Sequence, residues 1–114
     1  MLKVKSKIWI EKDNELIFGD GKFKVLQAVS EEGSINKAAK KLAMSYKKAW
    51  SSIQAIETRL GMELVQKNKG GANGGSSELT KSGKRLLENY NNFREGINNY
   101  VDTKFKKIFT FKEI

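Results

Sequence analysis

The chain has 114 residues, which is enough for one small domain with an extension. It contains no cysteine and no histidine, which excludes disulfides and the common zinc and imidazole sites, and we see no acidic cluster suited to magnesium. No apolar run approaches a membrane span and no signal peptide is evident, so we expect a cytoplasmic protein. We expect no metal, cofactor or small-molecule ligand and no enzymatic activity. The formal net charge of +9 favours a polyanionic partner.

Residues 1–19 are predicted to form a β-hairpin. Apolar and polar residues alternate along 4–10, and Asp13-Asn14 separates this run from the apolar residues 16–18. The lysines of this segment are balanced by nearby carboxylates. We therefore interpret the hairpin as a structural or dimer-packing element rather than a DNA-binding arm.

A first helix is predicted after Asp20, whose side chain could cap it. Gly33 can end this helix in the left-handed conformation. The core-facing stripe of the helix would consist of Phe23, Val25, Leu26 and Val29.

Two short amphipathic helices joined by a tight turn are predicted between Ser34 and Leu60. Ser34 caps the first, Ala43 and Met44 form the turn, and Ser45 caps the second, which Gly61 ends. Small residues such as Ala39 allow the helices to cross closely. The apolar faces are Ile35, Ala38, Ala39 and Leu42 on the first helix and Tyr46, Ala49, Trp50, Ile53, Ile56 and Leu60 on the second.

The outward faces of these helices carry most of the surplus positive charge. Residues 34–60 contain six basic residues and one acidic residue, whereas residues 1–33 contain six of each. A localised basic face of this kind indicates double-stranded DNA as the partner, with the second helix entering the major groove. The predicted base-reading residues are Ser45, Tyr46, Lys47, Lys48 and Ser51. The predicted phosphate-binding residues are Ser34, Lys37, Lys40, Lys41, Ser52, Lys67, Lys69 and Asn73.

Two alternatives stay open at this point. Lysine-rich helix faces are often merely solvated, and small-residue helical hairpins occur in folds that do not bind DNA. Tyr46 and Trp50 fit the core as well as they fit a DNA-facing surface.

The segment after the second helix is predicted to be a β-hairpin with a glycine-rich tip. Leu64 to Gln66 and Glu78 to Thr80 flank a stretch, 67–77, that contains four glycines. Such a hairpin directly after a recognition helix is typical of the wing of a winged helix, so residues 20–79 would hold the helix-turn-helix and the wing. The rival interpretation is a phosphate-binding loop, since Gly70 and Gly75 have its glycine spacing. Ser76 stands where that motif requires lysine.

Residues 80–114 are predicted to form a long helix and a tail. From Thr80 as the cap, apolar residues recur at steps of three and four over ~28 residues, and the helical phase weakens after Ile108. We expect this helix to pair with a second copy in a homodimer, although it could instead fold back over its own domain. Gly96 in its middle could mark a bend or a close crossing. The predicted dimer residues are Leu86, Tyr90, Phe93, Ile97, Tyr100, Val101 and Phe105.

Order and spacing of several motifs give a specific resemblance. The motifs are Gly33-Ser34-Ile35, Ala38-Ala39, Ser45 to Trp50, Leu64-Val65, the glycines at 70–75, and Leu79-Thr80 with Gly83. In their order and spacing the chain resembles the N-terminal DNA-binding domain of the ModE family of molybdate-dependent regulators. More loosely, Ile56, Glu57, Leu60 and Gly61 resemble a pattern in the winged helix of LysR-type regulators.

The resemblance implies a dimeric transcription factor that binds a pseudo-palindromic operator. ModE proteins with a sensory role carry C-terminal oxyanion-binding domains, and the chain ends before such a domain. Residues 1–114 are thus predicted to be one winged-helix domain of mainly α (α+β) class. A nonspecific architectural DNA-binding protein and a winged-helix protein-interaction module remain the alternatives.

Overall fold

The computed structural model describes residues 2–68 and 75–110 and confirms the predicted winged helix-turn-helix class. In chain order the elements are β1 (Trp9–Lys12), β2 (Glu15–Gly19), α1 (Asp20–Glu32), α2 (Ile35–Lys41), α3 (Tyr46–Leu60), β3 (Val65–Asn68), β4 (Ser76–Leu79) and α4 (Lys81–Ile108). In the described ranges no helix combines the length and the hydropathy needed to cross a membrane.

The core lies where α1, α2 and α3 meet, with the two hairpins and the start of α4 closing its sides. Ala38, Ala39 and Ala49 are buried, and these small residues let the helices approach each other closely. Larger buried side chains fill the remaining space, among them Phe18, Leu26, Val29, Ile53, Ile56 and Leu64. The predicted stripe of α1 is confirmed for Val25, Leu26 and Val29, whereas Phe23 is only partly buried.

The N-terminal hairpin is present but shorter than predicted. Asp13 and Asn14 form its turn with φ of 53° and 66°, the left-handed conformation that two-residue hairpin turns need at both positions. The first strand begins at Trp9, so the prediction of a strand from Val4 is wrong. The physical reason is the length of β2: Trp9 already pairs with Gly19, after which α1 begins, so earlier residues have no strand to pair with.

Asp20 is not the cap of α1, in contrast to the prediction. Gly19 holds the capping position without a side-chain hydrogen bond, and Asp20 is the first helical residue. Its carboxylate instead accepts hydrogen bonds from the Tyr90 hydroxyl (2.6 Å) and the Arg94 guanidinium (3.3 Å) of α4. The competing tertiary partners explain why the local capping rule fails here.

The predicted boundaries of the helix-turn-helix are confirmed. The side-chain oxygen of Ser34 accepts a hydrogen bond from the Lys37 amide at 3.0 Å, and that of Ser45 accepts one from the Lys48 amide at 3.1 Å. Gly33 and Gly61 end α1 and α3 with φ of 73° and 68°. These caps fix where α3 begins, and therefore which side chains its first turn presents.

The wing is an antiparallel pair in which Val65 lies opposite Leu79 and Asn68 lies opposite Ser76. A strand rather than a helix begins at Ser76, which excludes the phosphate-binding loop. The wing is fastened to the helices through its backbone, because the Ser77 amide donates to the Gly33 carbonyl at 2.8 Å. The predicted phosphate contacts Lys69 and Asn73 lie outside the described residues.

The long C-terminal helix is confirmed as α4, with 28 residues and Thr80 as its cap. Its first part packs on its own domain, where Leu86 is partly buried and Tyr90 is only 2% exposed. Tyr90 is therefore a correction to the predicted dimer stripe, because its ring contacts Phe18 at 4.9 Å and Phe23 at 5.2 Å. Beyond Tyr90, Arg94 still contacts Asp20 and Ser6, whereas Phe93 and Tyr100 are exposed.

Candidate nucleic-acid interface

The second helix of the helix-turn-helix, α3, buries one stripe and presents the rest of its surface outward. Ala49, Ile53 and Ile56 form the buried stripe. Because successive residues turn by about 100°, Lys47 and Ser51 lie opposite that stripe. Both are exposed, as predicted for base-reading residues. Lysine and serine at this position can donate hydrogen bonds to base-edge acceptors in the major groove.

The other three predicted base-reading residues lie around this outward face. Ser45 is exposed at the start of α3, where its oxygen is engaged as the cap. Tyr46 lies on the side of α3 nearest the wing, and Lys48 lies on the side nearest the N-terminal hairpin. The structure thus brings the five residues together around the first two turns of α3 and separates them into a centre and two flanks.

The wing flank is organised by Lys67 of β3. Its Nζ atom donates a hydrogen bond to the Tyr46 hydroxyl at 2.9 Å and lies 5.6 Å and 5.5 Å from the ring centres of Tyr46 and Trp50. Tyr46 and Trp50 are 43% and 38% exposed, so the sequence ambiguity is resolved in favour of the surface. Cation–π contacts of this kind hold the wing lysine beside the recognition helix.

Glu57 positions the wing, a role that the sequence analysis did not predict for it. One of its carboxylate oxygens accepts hydrogen bonds from the backbone amides of Leu64 (2.7 Å) and Val65 (3.2 Å), at the start of β3. The other accepts one from the Gln54 side chain at 3.0 Å. Glu57 thereby fixes the wing relative to α3. The signal in the sequence was its isolation as the one carboxylate on an otherwise basic helix-turn-helix.

The predicted phosphate-binding residues differ in their surroundings. Lys37 and Lys40 are exposed on α2, whereas the Lys41 ammonium lies 2.6 Å from Glu31 and 3.7 Å from Glu32. The hydrogen bond and charge of Glu31 raise the pKa of Lys41. A DNA phosphate would have to displace these carboxylates before it could bind Lys41. At Lys37 and Lys40 no such displacement is needed.

The two predicted serines also differ. Ser34 is half-buried, with its oxygen engaged as the cap of α2, and Ser52 is half-buried on the hairpin side of α3. Across residues 2–68 and 75–110, no group of three carboxylates is placed to hold a metal ion.

The outward surface of α2 and α3 carries ammonium and hydroxyl groups that can donate hydrogen bonds. Such a surface suits a polyanion.

The sequence of this region matches a known family. Residues 21–84, from the start of α1 to the first turn of α4, match the bacterial regulatory helix-turn-helix proteins of the LysR family. The chain belongs to this family. As a LysR-family protein it carries the domain of a DNA-binding transcriptional regulator, and the family is not enzymatic.

Two curated relatives support the resemblance to ModE. The chain is 36% identical over 81 residues, 71% of its length, to the molybdenum transport protein ModE of Azotobacter vinelandii, and covers 30% of that protein. It is also 36% identical over 81 residues to the transcriptional regulator ModE of Haemophilus influenzae, of which it covers 32%. The chain thus spans about a third of the length of these relatives.

A solved structure of a LysR-family DNA-binding domain bound to DNA has the same fold. The DNA complex of the CbnR DNA-binding domain superposes with a TM-score of 0.61 and 28% sequence identity. The match covers 78% of this chain and 97% of that one. The two LysR-family structures therefore share their fold over most of this chain.

Proposed function

We propose that this chain is a sequence-specific DNA-binding transcriptional regulator of the ModE type that binds a pseudo-palindromic operator as a dimer. Residues 1–114 would act as one winged-helix domain, in the cytoplasm, where bacterial DNA lies. The observation that carries the proposal is the surface of α3: Lys47 and Ser51 project from its centre, and a wing lysine is held on one flank.

The proposed division of labour follows from the positions of the side chains. Lys47 and Ser51 point away from the protein core, so they reach base edges when α3 lies in the major groove. Lys37 and Lys40 lie on α2, the helix that crosses the backbone in helix-turn-helix complexes, and would hold phosphates. Base contacts set sequence preference, whereas phosphate contacts set affinity and its dependence on salt.

The dimer would form through the part of α4 that extends beyond the core. Phe93 and Tyr100 are 50% and 63% exposed, and Ile97 lies between them at helical spacing. Phe105 is half-buried and stacks on Phe109 at 5.2 Å, and Val101 is half-buried beside the N-terminal segment. A contiguous apolar stripe on a projecting helix is the usual basis for helix pairing.

A pair of lysine variants tests the proposal. Lys40→Ala should weaken binding to every duplex by a similar factor and flatten the dependence on salt, because a phosphate contact carries no base information. Lys47→Ala should relax the preference at particular base pairs, at a cost of about 1–3 kcal/mol for the preferred sequence. Binding would be measured by fluorescence anisotropy with specific and shuffled duplexes at several salt concentrations.

The same titrations separate the alternatives. Equal affinity of the wild-type protein for all duplexes would contradict base reading and favour an architectural DNA-binding protein. No salt-dependent binding to any duplex would contradict DNA binding altogether and favour a protein-interaction module. If Lys40→Ala and Lys47→Ala have the same effect on every duplex, the proposed division of roles is wrong.

A further inference from the structure

A groove of about 570 Å³ lies on the hairpin side of α3, opposite the wing flank. The N-terminal hairpin, the first turn of α1 and the start of α3 form its walls. Lys7, Lys22 and Lys48 are among the residues that line it, together with Ser52. The apolar lining includes Trp9 and Met44. The N-terminal hairpin thus meets the recognition helix at a cationic surface.

The positive charge of this groove is not neutralised within the described chain. Across residues 2–68 and 75–110, no carboxylate lies within ion-pair distance of Lys22. Burial, followed by the positive charge of Arg59, lowers the pKa of Lys22. Asp20 also lines the groove, but its carboxylate lies 3.2 Å from the Arg94 guanidinium and accepts the Tyr90 hydroxyl. An anion that enters the groove would therefore not have to displace a carboxylate from Lys22.

The position of the groove indicates which anion it receives. Lys48 and Ser52 lie one turn apart on one flank of α3, and Tyr46 and Trp50 lie one turn apart on the other flank. A helix in the major groove has a phosphate backbone on each side, because that groove is only about 12 Å wide. Lys67 of the wing lies on the side of α3 that would face one DNA backbone. The groove beside the N-terminal hairpin lies on the side that would face the other.

We propose that Lys22 and Lys7 bind the DNA phosphate backbone on the side of the recognition helix opposite the wing. Lys7, just before β1, and Lys22, in the first turn of α1, would form a second clamp beside the N-terminal hairpin. Lys22, at the start of α1, makes the central contact, and Lys7, whose Nζ lies 5.9 Å from the Trp9 ring centre, makes a peripheral one. The inference rests on the proposed function, since it adds contacts to the same DNA complex.

The apolar part of the lining is compatible with this partner. The deoxyribose that connects successive phosphates presents C–H groups, which can pack against Trp9 and Met44 while the phosphate oxygens meet the lysines. An amphipathic small-molecule anion would use the same chemistry. The continuity of the groove with Lys48 and Ser52 of the recognition helix favours the nucleic acid over a separate ligand.

The test uses the full chain and compares Lys22→Gln with Lys24→Gln. Lys24 is exposed on the same helix, has the same charge and does not line the groove. In duplex-binding titrations from low to high salt, Lys22→Gln should reduce the slope of log affinity against log salt by about one relative to wild type. Lys22→Gln with Lys7→Gln should reduce it further. Lys24→Gln should leave the slope unchanged.

Each variant must be folded for the slopes to be compared. A circular-dichroism melt of each variant checks this directly. If wild type binds DNA with a steep salt dependence and Lys22→Gln has the same slope as Lys24→Gln, the second clamp is absent while the proposed function stands. If wild type shows no salt-dependent binding, the proposed function itself fails. Binding of 8-anilinonaphthalene-1-sulfonate to the free protein that Lys22→Gln weakens, together with an unchanged DNA salt slope for that variant, would assign the groove to a small anion and overturn the inference.

Discussion

The Nζ atom of Lys67 lies 5.5 Å from the centre of the Trp50 ring, so that a wing lysine covers an exposed aromatic side chain of the recognition helix. This contact joins α3 to β3, two elements that residues 61–64 separate in the sequence. It also explains why an aromatic residue can be 38% exposed at this position without leaving a large bare apolar surface. The orientation of the wing is therefore coupled to the recognition helix.

A double-mutant cycle of Trp50→Leu and Lys67→Gln measures this coupling. We expect an interaction of about 0.5–1 kcal/mol in the free energy of unfolding, the range for exposed cation–π pairs. Urea denaturation of wild type, both single variants and the double variant gives the value. The matched control is the cycle of Trp9→Leu and Lys67→Gln, because Trp9 lies on the other hairpin and should show additive effects. Additivity in both cycles would refute the contact.

Two glycines of α4 are expected to respond in opposite directions to alanine. A Cβ at Gly83 would fall on the Leu64 carbonyl, with its carbon 3.1 Å away, whereas nothing lies within 4 Å of a Cβ at Gly96. Gly83→Ala should cost about 3 kcal/mol of stability because the backbone cannot give way. Gly96→Ala should add about 0.5–1 kcal/mol, because it removes the entropic cost of glycine in a helix. Thermal and urea unfolding check both, and a destabilised Gly96→Ala would show a close crossing at that position.

Tyr90 is expected to make stability depend on alkaline pH. Burial and the hydrogen bond to Asp20 raise the pKa of Tyr90 to about 12, above its ordinary value of about 10. The Tyr90 hydroxyl contributes fully to the free energy of unfolding below pH ~10. This contribution is lost as pH rises towards ~12, since the unfolded chain releases the proton first. Tyr90→Phe should cost about 1–2 kcal/mol at neutral pH, and the difference from wild type should shrink over that range.

Urea denaturation at several pH values measures the Tyr90 contribution. A wild-type advantage over Tyr90→Phe that stays constant up to pH ~12 would mean that the Tyr90 hydroxyl does not titrate as described.

The ends of the helices could be predicted from local capping rules. Where a side chain also has partners that are distant in the sequence, these rules were not sufficient. Ser34, Ser45 and Thr80 cap their helices as predicted, because capping depends only on the next three residues. Asp20 departed from the same rule because Tyr90 and Arg94, some seventy residues away in the sequence, take its carboxylate.

Periodicity likewise could not distinguish which surface an apolar face covers. Tyr90 continues the stripe of Phe93 and Ile97 at helical spacing, yet it belongs to the core because α1 lies beside the first part of α4. Trp50 was assigned to the apolar face of α3, yet it is exposed, because it lies about 100° around the helix from the buried Ala49 and contacts Lys67 at the surface. The groove at Lys22 required the hairpin to be placed against α3, and no local pattern shows that placement.

Dimerisation through α4 is tested by placing a charge on its exposed stripe. Tyr100→Asp should convert a dimer to a monomer, or lower the association constant by at least about 100-fold, because a charged carboxylate would replace an apolar ring inside the interface. Asn99→Asp introduces the same charge on the opposite side of the helix and should leave association unchanged. Analytical ultracentrifugation over a range of concentrations distinguishes the two. A monomeric wild type would refute the dimer, and equal behaviour of the variants would place the interface elsewhere.

Selection of bound duplexes from a random oligonucleotide pool by the wild-type chain tests the central claim most directly. If Lys47 and Ser51 read bases from paired recognition helices, the recovered sequences should share a two-fold symmetric motif with half-sites about one helical turn, ~34 Å, apart. The best sequence should bind at least ~10³-fold more tightly than random DNA at physiological salt. A pool that remains random after repeated selection, while binding stays salt-dependent, would contradict base reading by α3.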